Sequence, residues 1–332
     1  MNRSTRIIKK SLLWKLHLLT MKTLRGLYLV FWVLYNYSGI KYIVELAQFK
    51  RTNDADYEKP PALALWVIGI YTALYGIASN NYEAALDRAE NRMSAVATQL
   101  STSDEQAFKN LIAQIPRIQE IETPVEPSLL WPFEGNFVLA SFFVKEQNPE
   151  IVGWTQETIE AWKDTLSGVD LGEVDLFWAR LSGADLSNAV LVWADLSEAM
   201  LRRANLSGAK LWKTDLSGAE LEKANLSEAE FLRADLSGAD LSSANFSGAH
   251  LQGADFSGAY LEGANLSGAR LGGVYGDIRG WKDINSIWNA NIFGVRDPPK
   301  GFREWALENG AVEMEPAGWT AFRSECEGGS LE

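Results

Sequence analysis

Every fifth residue from Leu166 to Leu271 is leucine or phenylalanine, 22 times in succession. A small residue, nearly always alanine, stands two positions earlier, as at Ala204 and Ala224. A strict short period predicts one supersecondary unit that is stacked many times. A period of five fits neither the repeat of a helix, about 3.6 residues, nor the repeat of a strand, about two. Each unit therefore has to combine a short extended piece with a turn, and pairs such as Ser207–Gly208 suit that turn.

The repeated unit also carries a family resemblance. The run Ala204-Asn205-Leu206-Ser207-Gly208 resembles the repeat of the pentapeptide-repeat family. The resemblance covers residues 166–275 and implies a mainly β fold, a right-handed quadrilateral β-helix with four units per coil. Residues 276–332 are expected to form a C-terminal cap and tail, because Asn289–Val295 and Gly301–Leu307 are similar to the caps of membrane-linked bacterial members.

The N-terminal part of the chain predicts a membrane anchor. Residues 1–25 carry seven basic side chains and no acidic one, and the run 62–79 contains no charge. Such a run is long enough to cross a bilayer as a helix, and the basic flank keeps the N-terminus in the cytoplasm. A second crossing over 26–40, which we favour, would form a helical hairpin and place the repeat in the cytoplasm as well. We therefore expect a bacterial inner-membrane protein that contacts lipid through a transmembrane helix in 62–100; the alternative is a buried core helix. The shorter run 26–40, within the segment 1–61, is either a second crossing or an interfacial helix.

Residues 82–100 predict a helical stalk that continues the apolar run. Apolar residues follow one another at spacings of four and three, which is a heptad seam: Tyr82, Leu86, Ala89, Met93, Val96 and Leu100. The seam predicts either a homo-oligomer contact or an amphipathic helix packed on its own chain.

Residues 101–165 are expected to form a helical connector and an N-terminal cap. Ser103 and Gln106 resemble a capping box, and Thr155 is expected to cap a last helix over 156–165. Apolar residues near that helix would close the open end of the repeat, namely Trp154, Ile159 and Trp162.

Composition argues against several classes of function. The net charge of -12 opposes a general nucleic-acid binder, which needs a basic face. One cysteine and two distant histidines give neither a disulfide framework nor a metal site. The serines recur at one slot of the repeat, which indicates a turn residue and not a nucleophile. We therefore expect no catalysis, no metal and no cofactor.

Residues twenty apart stack on a coil of four five-residue units, and this stacking predicts two candidate binding surfaces. Val192, Trp212 and Leu232 form an apolar column with Trp193 beside it, where serine and glycine are usual. Such a patch is typical of a protein-docking surface, unless the connector or the tail covers it. An acidic column runs along another face: Asp175, Asp195, Asp215, Asp235 and Asp255. It would meet a basic partner or mimic DNA phosphates, unless these aspartates belong to the turns of the repeat.

The expected function is a non-catalytic, membrane-anchored scaffold that presents the β-helix to a protein partner. The alternative is a DNA-mimic inhibitor of a type II topoisomerase, which the resemblance implies because some soluble members of the family act in this way. The charged residues of a further variable face, such as Arg202 and Glu222, are expected to form a solvated surface.

Overall fold

The computed structural model describes residues 62–100, 104–128 and 139–328. They fall into two compact units, the first taking the described residues up to Tyr82 and those of 124–144, the second taking 83–123 and everything from Lys145 onward. The named elements are, in chain order, helices α1 (Ala62–Gln99), α2 (Glu105–Ile112) and α3 (Ile115–Gln119), strand β1 (Glu122–Pro124), helix α4 (Ala140–Phe143), strand β2 (Lys145–Gln147), helix α5 (Pro149–Ala161), two short 3-10 helices (Lys163–Thr165 and Trp281–Asp283), and helices α6 (Phe302–Glu308) and α7 (Pro316–Gly328). Strands β1 and β2 pair with each other.

The repeat forms a stack of parallel coils. From Asp170 to His250, every fifth residue forms a parallel bridge with the residue twenty positions further on. One coil therefore contains four five-residue units, the number that the family resemblance implies. After the last regular unit the same ladder continues with longer connections, for example from Asp255 to Arg279 and from Asn265 to Asn291. The segment after Leu271 thus adds a less regular coil before α6 closes the end.

Each unit ends in a tight turn. The N–H of Ala209 donates to the carbonyl of Leu206 at 3.0 Å, and Gly208 between them has a φ of 66°. A positive φ at the third residue is characteristic of a type II turn and favours glycine there. Glu198 and Lys213 adopt the same conformation, with φ of 58° and 57°. A side chain in this region costs roughly 1–2 kcal/mol, which the surrounding ladder has to offset.

The core of the β-helix is made of the inward leucines, phenylalanines and alanines, which are almost fully buried. Phe231 and Phe246 contact each other with ring centroids 5.6 Å apart. Thr214 occupies an alanine slot and is completely buried, so its hydroxyl needs a partner. It donates to the carbonyl of Leu191 at 2.6 Å. The leucines and phenylalanines that recur every five residues in the sequence are therefore the inward side chains of this core.

Side chains of the connector form hydrogen bonds with backbone N–H and C=O groups at the exposed edge of the first coil. Gln119 is buried, and its amide both donates to the carbonyl of Asp175 at 2.9 Å and accepts the N–H of Asp175 at 2.8 Å. The Glu160 carboxylate accepts the N–H of Arg180 at 2.7 Å, and Lys163 donates to the carbonyl of Ser182 at 2.8 Å. An unpaired strand edge invites association with another chain, and these contacts block it.

Residues of the helix before the repeat pack against the end of the stack, and this helix begins earlier than predicted. Ile159 is fully buried, and both Trp154 and Trp162 pack against the same core. Helix α5 starts at Pro149 because Asn148 accepts the N–H of Glu150 at 2.9 Å and acts as its N-cap. Thr155 lies inside the helix, where its hydroxyl donates to backbone carbonyls of the preceding turn.

The first connector helix, α2, is also capped by a different residue than predicted. Asp104 accepts the N–H groups of Gln106 at 2.9 Å and Ala107 at 3.3 Å, which are orphan donors of the first turn. Ser103, the predicted cap, lies outside the described residues.

The heptad seam of the stalk packs on its own chain. Ala89, Met93, Val96 and Leu100 are buried and belong to the same apolar core as Phe108. Leu86 is partly buried against that core. This arrangement favours the alternative of an amphipathic helix on its own chain over an oligomer contact through 82–100.

The structure does not support the predicted membrane crossing over 62–79. Helix α1 covers this run, but among the helices of residues 62–100, 104–128 and 139–328 none combines the length and the apolar character that a bilayer crossing needs. Gly69, Thr72 and Gly76 interrupt the apolar run, and the Tyr71 hydroxyl donates to the carbonyl of Ser128 at 3.1 Å. The predictions for 1–61 lie outside the described residues.

Candidate functional site

The four residues predicted to form an apolar docking surface line one groove. Val192, Trp193, Trp212 and Leu232 surround a volume of about 250 Å³. Three further residues complete the lining, namely Lys213, Arg233 and Tyr275. We call this feature the tryptophan groove.

The stacked turns of the β-helix place these side chains on the outside. Val192, Trp212 and Leu232 each follow an inward residue of the core, so they occupy the second position of successive turns. The N–H of Trp193 donates to the carbonyl of Trp212 at 3.0 Å, and the N–H of Lys213 donates to that of Leu232 at 2.9 Å. These bonds hold three consecutive turns in register, so the groove has a rigid floor.

Polar contacts fix both indole rings. Trp193 is 57 % exposed and Trp212 is 40 % exposed. The ammonium group of Lys213 lies 3.7 Å from the ring centroid of Trp193, which is a cation–π contact. The Trp212 Nε1 donates to Oε2 of Glu230 at 2.6 Å. Both rings are therefore oriented and still accessible to a partner.

The residue that follows the last regular unit by four positions, Tyr275, lies at one end of the groove. Tyr275 lines it, and the carbonyl oxygen of Tyr275 lies 2.8 Å from where a Cβ at Gly253 would stand. Only glycine at 253 allows this approach without a shift, and its φ of 74° also favours glycine. Leu232 is only 8 % exposed. Leu232 is therefore largely closed to a partner, whereas the two tryptophans remain open.

Sequence reasoning missed Lys213, Arg233 and Tyr275. Lys213 and Arg233 lie twenty and forty residues after Trp193, so the same stacking rule places all three at the third position of successive turns. Extending the column by one residue would have found them. Tyr275 follows the last regular unit, so the five-residue period does not predict where its side chain lies.

The predicted acidic column is stacked in register. Parallel bridges join Asp175, Asp195, Asp215, Asp235 and Asp255 in succession. Each carboxylate accepts the N–H of the residue two positions later, as Asp215 does from Ser217 at 2.9 Å. This local bond is an Asx turn, a common reason for aspartate in turns. The contacts support the interpretation that these aspartates belong to the repeat's own turns.

The C-terminal end of the acidic column is partly neutralised. Arg279 lies 3.5 Å from the carboxylate of Asp255. Burial by itself raises the pKa of Asp255, but hydrogen bonds from the hydroxyl and N–H of Ser257 and the charge of Arg279 outweigh it, so the pKa lies below its ordinary value.

A second regular face carries a ladder of side-chain amides in place of the carboxylates. Asn225 donates to Oδ1 of Asn205 at 3.0 Å, and Asn245 donates to Oδ1 of Asn225 at 3.2 Å. The first rung joins Asn205 to Asp185 at 3.2 Å. Carboxylates lack the donor that such a ladder needs, so the two regular faces differ in how their side chains interact.

The charged variable face consists of exposed ion pairs. Arg202 pairs with Glu220 at 3.1 Å, and Lys223 pairs with Glu222 at 3.1 Å. Such pairs contribute little energy, as expected for a solvated surface. In the parts of the chain that the structure describes, no group of His, Cys, Asp and Glu side chains is placed to hold a metal ion.

Comparison with known proteins identifies the repeat. The family model for pentapeptide repeats matches eight copies over residues 175–212, 204–242 and 239–275. No curated protein matches the chain. Among solved structures, the pentapeptide repeat protein Rfr23 from the cyanobacterium Cyanothece 51142 is 31% identical, with 32% of this chain and 90% of that chain covered and a TM-score of 0.28.

Two further structures are similar over part of their length. HetL from Nostoc sp. strain PCC 7120, a pentapeptide repeat protein involved in heterocyst differentiation regulation, is 32% identical, with 39% of this chain and 66% of HetL covered and a TM-score of 0.18. QnrB1, a plasmid-mediated fluoroquinolone resistance protein, is 18% identical, with 50% of this chain and 91% of QnrB1 covered and a TM-score of 0.21. Pentapeptide repeats form right-handed β-helices, and these proteins are generally non-catalytic interaction scaffolds. The repeat, its four-unit coils and the identity to Rfr23 over most of that protein's length show that the chain belongs to the pentapeptide-repeat family.

Proposed function

We propose that this chain is a non-catalytic scaffold that docks a protein partner in the tryptophan groove. The supporting observation is the exposure of two oriented indole rings, Trp193 and Trp212, beside the buried Leu232 on a rigid wall. Tryptophan is enriched among the residues that dominate binding energy at protein interfaces. Other turns of the same β-helix carry serine at the second position, as at Ser217 and Ser237.

The size of the groove favours a protein partner over a small molecule. Its volume of about 250 Å³ lies below the range of about 300–1,000 Å³ that is typical of ligand pockets. A groove of this size suits one large apolar side chain that projects from a larger surface.

In-cell photocrosslinking tests the docking function. A photoreactive residue replaces Trp212, and the control carries it at Ser237, which has the same position in a turn on another face. We expect a specific protein adduct from position 212 and none from position 237. If the only adduct from 212 joins the chain to its own segment around Tyr275, the groove is internal packing and the docking function is wrong.

We also propose that the protein is held at the bacterial inner membrane, with the repeat in the cytoplasm. This proposal is supported by the basic residues of 1–25 and the apolar run 26–40, which attract anionic headgroups and partition into the interface. Fractionation of cells that express the full chain or a chain lacking residues 1–61 tests it. Recovery of both chains in the soluble fraction would contradict it.

The second candidate function is inhibition of a type II topoisomerase by DNA mimicry. Its support is the stacked acidic column, since evenly spaced carboxylates resemble a row of phosphates. A supercoiling assay with purified chain and bacterial gyrase tests it, and the charge-neutralised variant Asp195→Asn with Asp215→Asn is the control. Equal activity of gyrase with and without the chain would exclude this function.

A further inference from the structure

The tryptophan groove has a chemical signature that narrows the class of its partner. Of the seven residues that line it, two are charged, and both are basic, Lys213 and Arg233. Both side chains are exposed at the rim. Within the described part of the chain neither forms an ion pair with an acidic side chain. The groove is thus a basic site on a protein whose net charge is -12.

The acidic side chain that contacts a groove residue already accepts a hydrogen bond. Glu230 accepts the indole N–H of Trp212 at 2.6 Å. It forms no ion pair with Lys213 or Arg233. The two cations therefore keep their capacity to bind a carboxylate from outside.

Lys213 also contacts the ring of Trp193, and this contact leaves it able to bind such a carboxylate. Its ammonium lies over the face of Trp193 at 3.7 Å and is held at the edge of the apolar floor. An ammonium group has three donors, and a cation–π contact uses the ring face without consuming all of them. A partner that places an apolar side chain on the indoles brings its neighbouring residues directly to this charge.

We propose that the groove binds an acidic segment of a protein partner, with one large apolar side chain between the indoles and flanking carboxylates paired with Lys213 and Arg233. This inference rests on the proposed docking function and adds the chemistry of the partner. Apolar contact supplies most of the affinity, whereas charge complementarity supplies specificity and a faster association rate.

Charge-swap variants test this inference while keeping the backbone turns. Lys213→Glu with Arg233→Glu reverses both charges of the rim. Because Lys213→Glu also removes the cation–π contact with Trp193, the single variant Arg233→Glu is measured beside the double variant and should weaken binding in the same direction. Glutamate fits this backbone position, because Glu173, Glu198 and Glu228 occupy the same place in other turns with φ of 63°, 58° and 58°. The matched control is Arg203→Glu with Lys223→Glu, which makes the same change of charge at the same turn position on another face, with φ of 58° and 60°.

The probe is a random peptide library selected on the immobilised full chain and counter-selected on the Trp212→Ser variant. We expect the enriched peptides to be acidic with a central Leu, Phe or Trp. Titration of these peptides should show about tenfold weaker binding to the Lys213/Arg233 swap, from the loss of two charge pairs and new repulsion, and a change of less than about twofold for the control swap. Binding to the wild-type chain should also weaken as the salt concentration rises.

The outcomes separate the two proposals. If Trp212→Ser abolishes binding but the charge swap does not, or if the enriched peptides are neutral or basic, docking in the groove stands and the acidic partner is wrong. If the peptides bind Trp212→Ser as well as the wild type, or if none is enriched against it, the groove is not a peptide site and both proposals fail.

Discussion

Exchanging aspartate and asparagine between the two stacked columns is expected to change stability in opposite directions. The changes are Asp215→Asn in the acidic column and Asn225→Asp in the amide ladder. Both residues stand before an inward leucine, and both accept the N–H of a serine two positions later. The two substitutions are therefore matched in place and in local turn geometry, and they differ in their neighbours one coil away.

Asp215→Asn removes repulsion. Parallel bridges place Asp195 and Asp235 on the adjoining coils, about 4.8 Å away at the backbone. Unit charges about 5 Å apart repel by roughly 0.8 kcal/mol in water before screening. The new amide also gains a possible acceptor, since Asn205 donates to Asp185 in the equivalent arrangement at 3.2 Å. After screening of the two repulsions, we expect a gain of about 1 kcal/mol in the free energy of unfolding.

Asn225→Asp removes a donor from the ladder. The amide of Asn225 donates to Oδ1 of Asn205 at 3.0 Å, and a carboxylate cannot replace this bond. It also places a charge at a half-buried position whose ladder neighbours are neutral. One lost hydrogen bond costs about 0.5–1.5 kcal/mol, and partial desolvation of the charge adds to it, so we expect a loss of about 1–2 kcal/mol.

Urea unfolding followed by circular dichroism, at low and at high salt, measures both effects. High salt should shrink the gain of Asp215→Asn, because that gain is electrostatic, and should leave most of the loss of Asn225→Asp. If both variants shift the midpoint in the same direction, the distinction between a repelling column and a hydrogen-bonded ladder is wrong.

Three further changes probe the core, the cap and one carboxylate. Leu216→Ala empties a fully buried slot and should cost about 2–5 kcal/mol in urea unfolding; a smaller loss would mean that the core collapses around it. Gln119→Leu removes both bonds to the backbone of Asp175, so we expect a loss of about 2–4 kcal/mol and faster hydrogen exchange at that amide, whereas unchanged exchange would contradict the capping role. The pKa of Asp255 lies below its ordinary value of 3.8, so this group stabilises the fold above that pH and the stabilisation is lost as the pH falls through the lowered value. Asp255→Asn should therefore flatten the acid limb of a stability-against-pH curve, and an unchanged slope would refute the assignment.

The repeat could be predicted from the sequence because its signal is local and is repeated many times. Each inward leucine can be recognised from its own five-residue unit. Four units per coil then place residues twenty apart on neighbouring coils, as the bridges of Asp215 with Asp195 and Asp235 do. The sequence does not decide what the residues of a column do. Whether Asp215 faces a partner or its own turn depends on a hydrogen bond to Ser217 that leaves no trace in the pattern of residues.

The helices before the repeat could be predicted less well, because more than one residue could cap a helix and more than one partner could cover an apolar face. Thr155 and Asn148 are both good caps, and the proline after Asn148 decided the start of α5. The heptad seam at Met93 and Val96 reads the same whether it faces a second chain or its own core, and only the tertiary contact separates the two. Tyr275 lies beyond the period, so its place at the groove required the structure.

The coil of twenty residues limits how the length of this protein can vary. Deleting or inserting one five-residue unit would preserve the alternation of leucine and alanine, but it would rotate everything downstream by one side of the coil. Asn225 would then meet a residue of another column, and the turn that carries Lys213 would no longer lie against the turn that carries Trp193. Removing twenty residues would leave every face aligned. Viable length variants should therefore differ by whole coils, even though the sequence repeats every five residues.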